Sequence, residues 1–438
     1  MIARPSARCV AVAYSGGRDS TALLHATLHA AAGLGVSVVA LHVHHGLSDQ
    51  ADAWLAHCER QCRRWAARGL PAGFASRRLS GRPARGESIE AWARRERYAA
   101  LREMALAHGA SLVLLAHHRQ DQAETFLLQA LRGAGVAGLA AMPQCIERDG
   151  LAWARPWLRR DRAELAAYAR RHRLRHVDDD SNADPRFARN RLRHAVWPVL
   201  EAEFAHAAQT LADAAAWADE ARICAAALAR IDLAAITSER GLDLAAWTRL
   251  ESPARRSNAL RAWIKAESGR APSAALVARL LNELGAGTKP ARWDVGGVLL
   301  RRYRGQLGVE RPAAPHGAGP ARVETLAVAR AGTYALAGWG GRLRIRSVAR
   351  DGVARECLDG LRLAERSGGE RFQAAPGRHA RSLKKCFQER GIAAWQRRGP
   401  LVYAGERLLY VPGLGIDARA LAAPGQAQVA FDWLGDVS

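Results

Sequence analysis

The sequence predicts an α/β fold: a parallel sheet with helices on both faces, then a helical domain, then a small basic α+β domain at the C-terminus. Three observations predict it. Through the first part of the chain, apolar strand-like runs alternate with helical patterns, which is how a parallel sheet covered on both faces reads. From about Ala205 to Leu284 the pattern turns Ala- and Leu-rich and helical, without strand runs. From Arg362 to Val411, basic residues crowd among aromatics. The expected domains are 1–204, 205–310 and 322–438, with the Pro/Gly-rich "ERPAAPHGAGPA" (Glu310–Ala321) as a linker.

The elements follow in order. Val10–Tyr14 is an apolar strand, and a helix runs from about Ser20 to Ala32. "VSVVALHVHH" (Val36–His45) is a second strand, Asp49–Arg68 a helix, and "GFASRRL" a third strand. Glu87–Gly109 is a long amphipathic helix ended by Gly109. Ser111–Ala116 is a short buried strand, followed by a helix through "AETFLLQALRG"; farther on, "GRLRIRSV" reads as a strand. Ligands of such sheets bind beyond the carboxyl ends of the strands. Ser15, His44 and His117 stand at such ends.

The bulk numbers narrow the class. The 438 residues are 49% hydrophobic and 24% charged, which is ordinary for a globular protein of several domains. The charge is not ordinary: 65 basic against 42 acidic residues give +23. A GC-rich genome accounts for the preference of Arg over Lys, but not for the surplus, which points to a polyanion, nucleic acid first. Seven scattered cysteines give no disulfide framework and fit a reducing cytoplasm; Cys58 and Cys62 read as free buried thiols. No apolar run reaches the length of a membrane span. The run after the N-terminal basic residues is only about six residues, short for a signal peptide.

The stretch Ser15-Gly16-Gly17-Arg18-Asp19-Ser20 joins the first strand to the first helix. Glycines permit a tight turn and close backbone approach, and amides at a helix start attract phosphate. Ser15 and Ser20 add hydroxyls, and Asp19 beside phosphate calls for a cation, Mg²⁺. The plainer alternative is a strand–helix turn with Asp19 or Ser20 as N-cap. The loop is neither G-x-x-x-x-G-K-[ST] nor G-x-G-x-x-G. It resembles the SGGxDS loop of the PP-loop ATP pyrophosphatases, which split ATP between the α and β phosphates.

Further segments extend the likeness: "LHVHHGLS" (Leu41–Ser48), "EAWARRERYAAL" (Glu90–Leu101), "AHHRQDQAETFLLQALRGAGVAGLAAM" (Ala116–Met142), "VDDDSNADPRFARNRLRHAVWPVL" (Val177–Leu200) and the basic C-terminal block. In this order they resemble the tRNA(Ile)-lysidine synthetase family, in its longer, three-domain form. The resemblance implies an ATP-dependent carbon–nitrogen ligase. Such an enzyme adenylates O2 of the wobble cytidine in a CAU-anticodon tRNA(Ile), and the ε-amine of free L-lysine then attacks C2 and displaces AMP. The product, lysidine, pairs with A. ATP, Mg²⁺, L-lysine and that tRNA are the implied cofactors and partners, and the cytoplasm the implied location.

The resemblance also implies site residues. Ser15, Gly16, Gly17, Arg18, Asp19 and Ser20 would hold the pyrophosphate, with Asp19 on Mg²⁺ and His44 and His117 beside the nucleotide. Arg97 and Arg189 match positions implicated near the cytosine and the phosphates; a solvated helix face is the plain reading of Arg97, as of Arg94 and Arg95. Asp121 and Glu124, three apart and so on one helix face, match the family's acidic pair and would orient the lysine. The alternative makes Asp121 a helix cap and Glu124 a first-turn acid favouring the dipole; both can hold. Where many members carry Asp-Asp, this chain has Gln120-Asp121. His42, His44 and His45 admit a zinc reading, weakened by the lack of a carboxylate or Cys partner at obvious spacing. Asp178–Asn182 is an acidic run that either binds metal or orders Arg189 and Asn190. Lys384, Lys385, Arg397 and Arg398 are the candidates for tRNA phosphates.

Three other readings stand beside this one. A 2-thiocytidine synthetase of the same superfamily calls for CxxC, which the chain lacks. Amide-forming PP-loop ligases use a glutaminase and need no basic C-terminal domain. A non-catalytic tRNA-binding protein would not need Asp19, Asp121 and Glu124 intact.

Overall fold

A computed structural model describes residues 8–44, 46, 50–81, 83–84, 86, 88–177, 188–238, 241–285, 290–295, 297–310 and 322–435. Two compact units divide the chain, residues 1–225 and 226–438.

In the first unit, strand β1 (Cys9–Ala13) leads to helix α1 (Arg18–Ala32), β2 (Ser37–His44) to α2 (Ala51–Ala66), and β3 (Ala72–Arg78) to α3 (Ile89–Ala107). Then come β4 (Ala110–Leu114), α4 (Arg119–Leu131), a short α5 (Val136–Leu139), the hairpin β5 (Cys145–Arg148) and β6 (Leu151–Ala154), and α6 (Arg162–Arg171). The six strands lie in the order β3-β2-β1-β4-β6-β5. All neighbours are parallel except β5, which pairs antiparallel with β6 as an edge.

Alternation along the strands sends side chains to both faces, as a doubly covered sheet requires. Ala11, Val39 and Leu41 pack with Leu101 and Met104 of α3. Val12, Val38 and Ala40 pack on the other face with Leu24 and Leu28 of α1 and Trp65 of α2. The chain runs outward from β1 through β2 and β3, then returns to place β4 on the other side of β1. That reversal leaves a crevice beyond the carboxyl ends of β1 and β4, where open α/β sheets bind ligands.

A further helical stretch closes this unit: α7 (Ala188–Arg191), a π-helical turn (Leu192–Val196) and α8 (Trp197–Glu203). Pro198 cannot donate to the carbonyl of His194, so the regular ladder is interrupted there, and wider turns arise at such breaks. Asp178–Asn182, His45 and most of the linker, 311–321, lie outside the described residues.

The long helix α9 (Ala207–Ile236) contains the boundary between the units. The second unit corrects the expectation of a strand-free middle. After β7 (Thr237–Ser238) and β8 (Gly241–Asp243) come α10 (Leu244–Thr248), α11 (Pro253–Ser268) and α12 (Ala274–Gly285). The strands β9 (Ala291–Val295), β10 (Val298–Tyr303) and β11 (Gln306–Glu310) then complete an antiparallel sheet of order β7-β8-β11-β10-β9. Trp247, Trp263, Leu260, Leu280 and Leu300 bury the helices against it. The strands β7 and β8 are two and three residues long and pair with a hairpin some sixty positions on, so local periodicity carries no sign of them. The last block is strand-rich, with short antiparallel sheets around Leu343, Leu363 and Val402. It includes a helix, α13 (Leu383–Glu389), seated on Phe372 and Leu401.

Candidate active site

Gly16 has φ +89°, and a Cβ there would meet Cys58 Sγ at 2.8 Å and Val177 Cγ2 at 3.0 Å. Only glycine fits this position. Gly17 is different: it caps α1 at φ −69°, and a Cβ would find nothing nearer than Ser15 Oγ at 3.5 Å. Asp19 and Ser20 therefore lie inside the helix, and the N-cap reading of these residues is corrected: neither caps α1, because the helix begins at Arg18, two residues earlier than the sequence pattern suggested. The hydroxyls hold the loop together. Ser15 and Ser20 meet at 3.0 Å, Ser20 donates to the Gly17 carbonyl at 2.9 Å, and Thr21 donates to the same carbonyl at 2.9 Å. The first helical backbone bond runs from Thr21 to Gly17, so the amides of Arg18, Asp19 and Ser20 precede it at the helix start.

The crevice gathers charge from three parts of the chain. His118 is buried, and its Nε2 stands 3.6 Å from Asp19 Oδ2 and 3.4 Å from Asp121 Oδ2. Arg18 Nε donates to Asp19 Oδ1 at 2.9 Å. Burial pushes the Asp19 carboxyl up, but hydrogen bonds from His118 and Arg18 outweigh it and hold the pKa down to about 2. Asp121 Oδ2 accepts from the His118 amide at 3.0 Å, so Asp121 does fasten the start of α4. Burial likewise opposes ionisation of Asp121, and His118, Arg189 and His117 reverse it, leaving its pKa below the usual carboxylate range.

Glu124 is wholly buried. Arg189 Nε donates to its Oε2 at 2.8 Å, while Arg193 donates from Nε to Oε1 at 2.9 Å and from Nη2 to Oε2 at 2.8 Å. The same guanidiniums reach Asp121 Oδ1, Arg189 at 3.1 Å and Arg193 at 3.3 Å. Two carboxylates are thus matched by two arginines. Sequence reasoning found Asp121, Glu124 and Arg189 and missed Arg193. Its signal was there: Arg193 lies four residues after Arg189, on the same helical face.

Arg97 on α3 shares the neighbourhood. Burial lowers its pKa, with Arg94 and Arg189 adding repulsion. Among the described residues it forms no ion pair; its guanidinium lies 6.0 Å from the Tyr98 ring centre. A desolvated, unpaired guanidinium suits an anion. His117 is pushed down to about 3 by burial and by Arg155, Arg189 and Arg97, against Asp121, so its imidazole is neutral at pH 7. Arg155, which no motif singled out, is buried, and donates to the Pro143 carbonyl at 2.8 Å. His44 stands at the end of β2 with Nε2 3.2 Å from Asp52 Oδ1. His42 Nδ1 lies 2.9 Å from the Tyr14 carbonyl, which ties it to the neighbouring strand. Gln120 is buried. Among the described residues no three His, Cys, Asp or Glu side chains are grouped to hold a metal.

The basic candidates of the C-terminal block lie in the second unit. Lys384 and Lys385 are exposed on α13, and Arg398 is exposed beyond it. Arg397 is committed internally: its guanidinium donates to the Ile392 carbonyl at 3.0 and 3.2 Å and lies 4.9 Å from the Phe387 ring centre. Cys58 and Cys62, both buried, have thiols pushed up to about 12 by desolvation, which makes them poor sulfur nucleophiles. No helix among the described residues is long and apolar enough to cross a membrane.

A parallel sheet whose first strand ends in this loop, facing an acid–arginine cluster across the switch point, defines a PP-loop ATP-binding protein. The family model of the PP-loop domain matches residues 1–200. Those of the TilS substrate binding domain and the TilS substrate C-terminal domain match 242–308 and 361–433. A tRNA(Ile)-lysidine synthase of Ralstonia nicotianae is 44% identical over 444 residues, covering 96% of this chain and 92% of that one. One of Burkholderia mallei is 41% identical over 452 residues, with 95% and 90% covered, and one of Coxiella burnetii 35% over 407 residues, with 92% and 88% covered. The chain belongs to the tRNA(Ile)-lysidine synthase family.

Proposed function

We propose that this protein ligates free L-lysine to C2 of the wobble cytidine in CAU-anticodon tRNA(Ile), giving lysidine, AMP and pyrophosphate, so that the tRNA reads AUA and accepts isoleucine. The observation that carries the reading is the junction of the phosphate loop with the acid pair, Asp19–His118–Asp121, in a chain that matches a relative over 96% of its length. It works in the cytoplasm, with residues 1–204 catalytic and 205–310 and 322–438 holding tRNA.

ATP lies with its β and γ phosphates on the amides and hydroxyls of Ser15–Ser20, and His44 and His117 border the nucleotide. O2 of the cytosine attacks the α-phosphorus, and the bond to the β-phosphate oxygen breaks. Charge grows on the α-phosphate and the leaving pyrophosphate, and Arg97 and Arg189 stabilise it. Mg²⁺ fits Asp19, whose carboxylate is ionised and 28% exposed at the loop. Held there, the ion would neutralise phosphate charge.

The lysine ε-amine then attacks C2, the C2–O2 bond breaks so that AMP leaves carrying O2, and the amine's proton passes to solvent. Asp121 and Glu124 supply the negative charge that seats the lysine. Asp121, its pKa held low by His118 and Arg189, is a weak base, so it orients lysine and does not deprotonate it. Lys384, Lys385 and Arg398 meet tRNA phosphates from the surface, and Arg397 stiffens the block beneath them.

Nucleoside mass spectrometry on a CAU-anticodon tRNA(Ile) transcript incubated with protein, ATP, Mg²⁺ and lysine tests the proposal. An ATP-dependent lysine adduct on cytidine, abolished by Asp19→Ala, is expected. AMP release without the adduct would move the chemistry to another acceptor. Neither product, with tRNA still bound, would leave a binding protein.

A further inference from the structure

The seat assigned to lysine already holds two cations. Asp121 and Glu124 carry two negative charges, and Arg189 and Arg193 carry two positive ones at 2.8–3.3 Å. An incoming ammonium meets no net charge there. Its three donors must also compete for oxygens that already accept from both guanidiniums and from the His118 amide. Seating the lysine therefore requires one guanidinium to withdraw.

The two arginines are not equivalent. Arg189 also donates to the main-chain carbonyl of Asp121 at 3.0 Å, which would hold it whether or not the carboxylates are occupied. Arg193 has no such anchor: its guanidinium bonds only to the two carboxylates among the described residues. It also sits in the π-helical turn Leu192–Val196, beside the break that Pro198 imposes. Turns of this kind recur at functional sites and where helices kink.

We propose that Arg193 is a positioning residue that fills the lysine seat with its own guanidinium, and that lysine binds by exchange with it. This keeps buried Glu124 paired at every stage, which a buried carboxylate requires. It also makes the seat selective: a ligand enters only if its cation replaces the bidentate contact to Glu124. The inference rests on the reading of Asp121 and Glu124 as the lysine site.

The test compares full-length wild type with Arg193→Gln, Arg193→Lys and Glu124→Gln. It reads the KM for lysine at saturating ATP and tRNA, and the rise in melting temperature that lysine produces. Arg193→Gln removes the competing charge and should lower the lysine KM about tenfold. Lysine should also raise the melting temperature of this variant more than that of wild type, because its ammonium restores the missing partner of Glu124. Arg193→Lys, with a shorter single-point contact, should show the same two changes to a smaller degree, and it decides the matter if the Gln variant does not fold. An unchanged or raised lysine KM with no larger thermal response overturns the exchange and leaves Arg193 a structural partner of Glu124. Glu124→Gln separates the two levels: it should raise the lysine KM, and if it does not, the lysine site itself is misassigned and the exchange falls with it.

Discussion

His118 Nε2 stands 3.6 Å from Asp19 Oδ2, and this contact ties the start of α1 to the start of α4 across the crevice between β1 and β4. The same nitrogen is 3.4 Å from Asp121 Oδ2. One buried imidazole thus bridges the glycine loop and the acid pair. His118→Ala should lower kcat for lysidine formation roughly ten- to hundredfold, since small misplacements of reacting groups cost that much. Binding of tRNA to the second unit's basic surface should persist. Steady-state AMP formation and filter binding on the same preparation check both halves.

The two loop glycines should respond differently. Gly16→Ala forces a side chain into the left-handed region and against Cys58 Sγ, and should cost on the order of 1–3 kcal/mol in a urea titration. Gly17→Ala, at an ordinary φ with no close neighbour, should cost less than about 1 kcal/mol. Equal losses would mean that the loop's shape does not depend on the first glycine.

A pH effect on stability should come from the middle of α1. His25 is buried, with Nδ1 2.9 Å from the Tyr168 hydroxyl and Nε2 3.1 Å from His29 Nε2. Burial first, then His29 and His172, bring its pKa down from 6.5 to about 4. The unfolded chain therefore takes up a proton between those values while the folded chain does not. Stability should fall as pH drops from about 6.5 to about 4, by on the order of 3 kcal/mol, and level off below. Urea midpoints at pH 7, 5.5 and 4.5 should show a shallower slope in His25→Gln than in wild type.

Lys384 and Lys385, both exposed on α13, should contribute to tRNA affinity through phosphates alone. The double alanine variant should weaken binding and reduce the slope of log K against log salt by roughly 1–2, without changing thermal stability. Arg397→Ala should do the reverse, lowering stability by about 1–2 kcal/mol through loss of its bonds to Ile392 and its contact with Phe387. Salt titrations and melting curves on the two variants separate the roles.

Much of this was legible in the sequence because it is local. The alternation of Val10–Tyr14 and Val36–His45 with helical patterns marks the parallel sheet, since strand and helix periods are properties of short stretches. Ser15–Ser20, Asp121 and Glu124, and Arg97 and Arg189 could be named because each lies in a contiguous motif. The strands of the middle region could not, since β8 finds its partner β11 only after three helices intervene.

By itself the sequence determined the sheet, the phosphate loop, the basic surplus and the family to which the chain belongs. The tertiary structure alone decided which charges meet. Only the return of β4 to the side of β1 sets His118 between Asp19 and Asp121. Only the packing of the 188–203 helical stretch against α4 lays Arg193 on Glu124. The physical reason is that electrostatic energy depends on distance and burial, and neither is written in the order of residues along the chain.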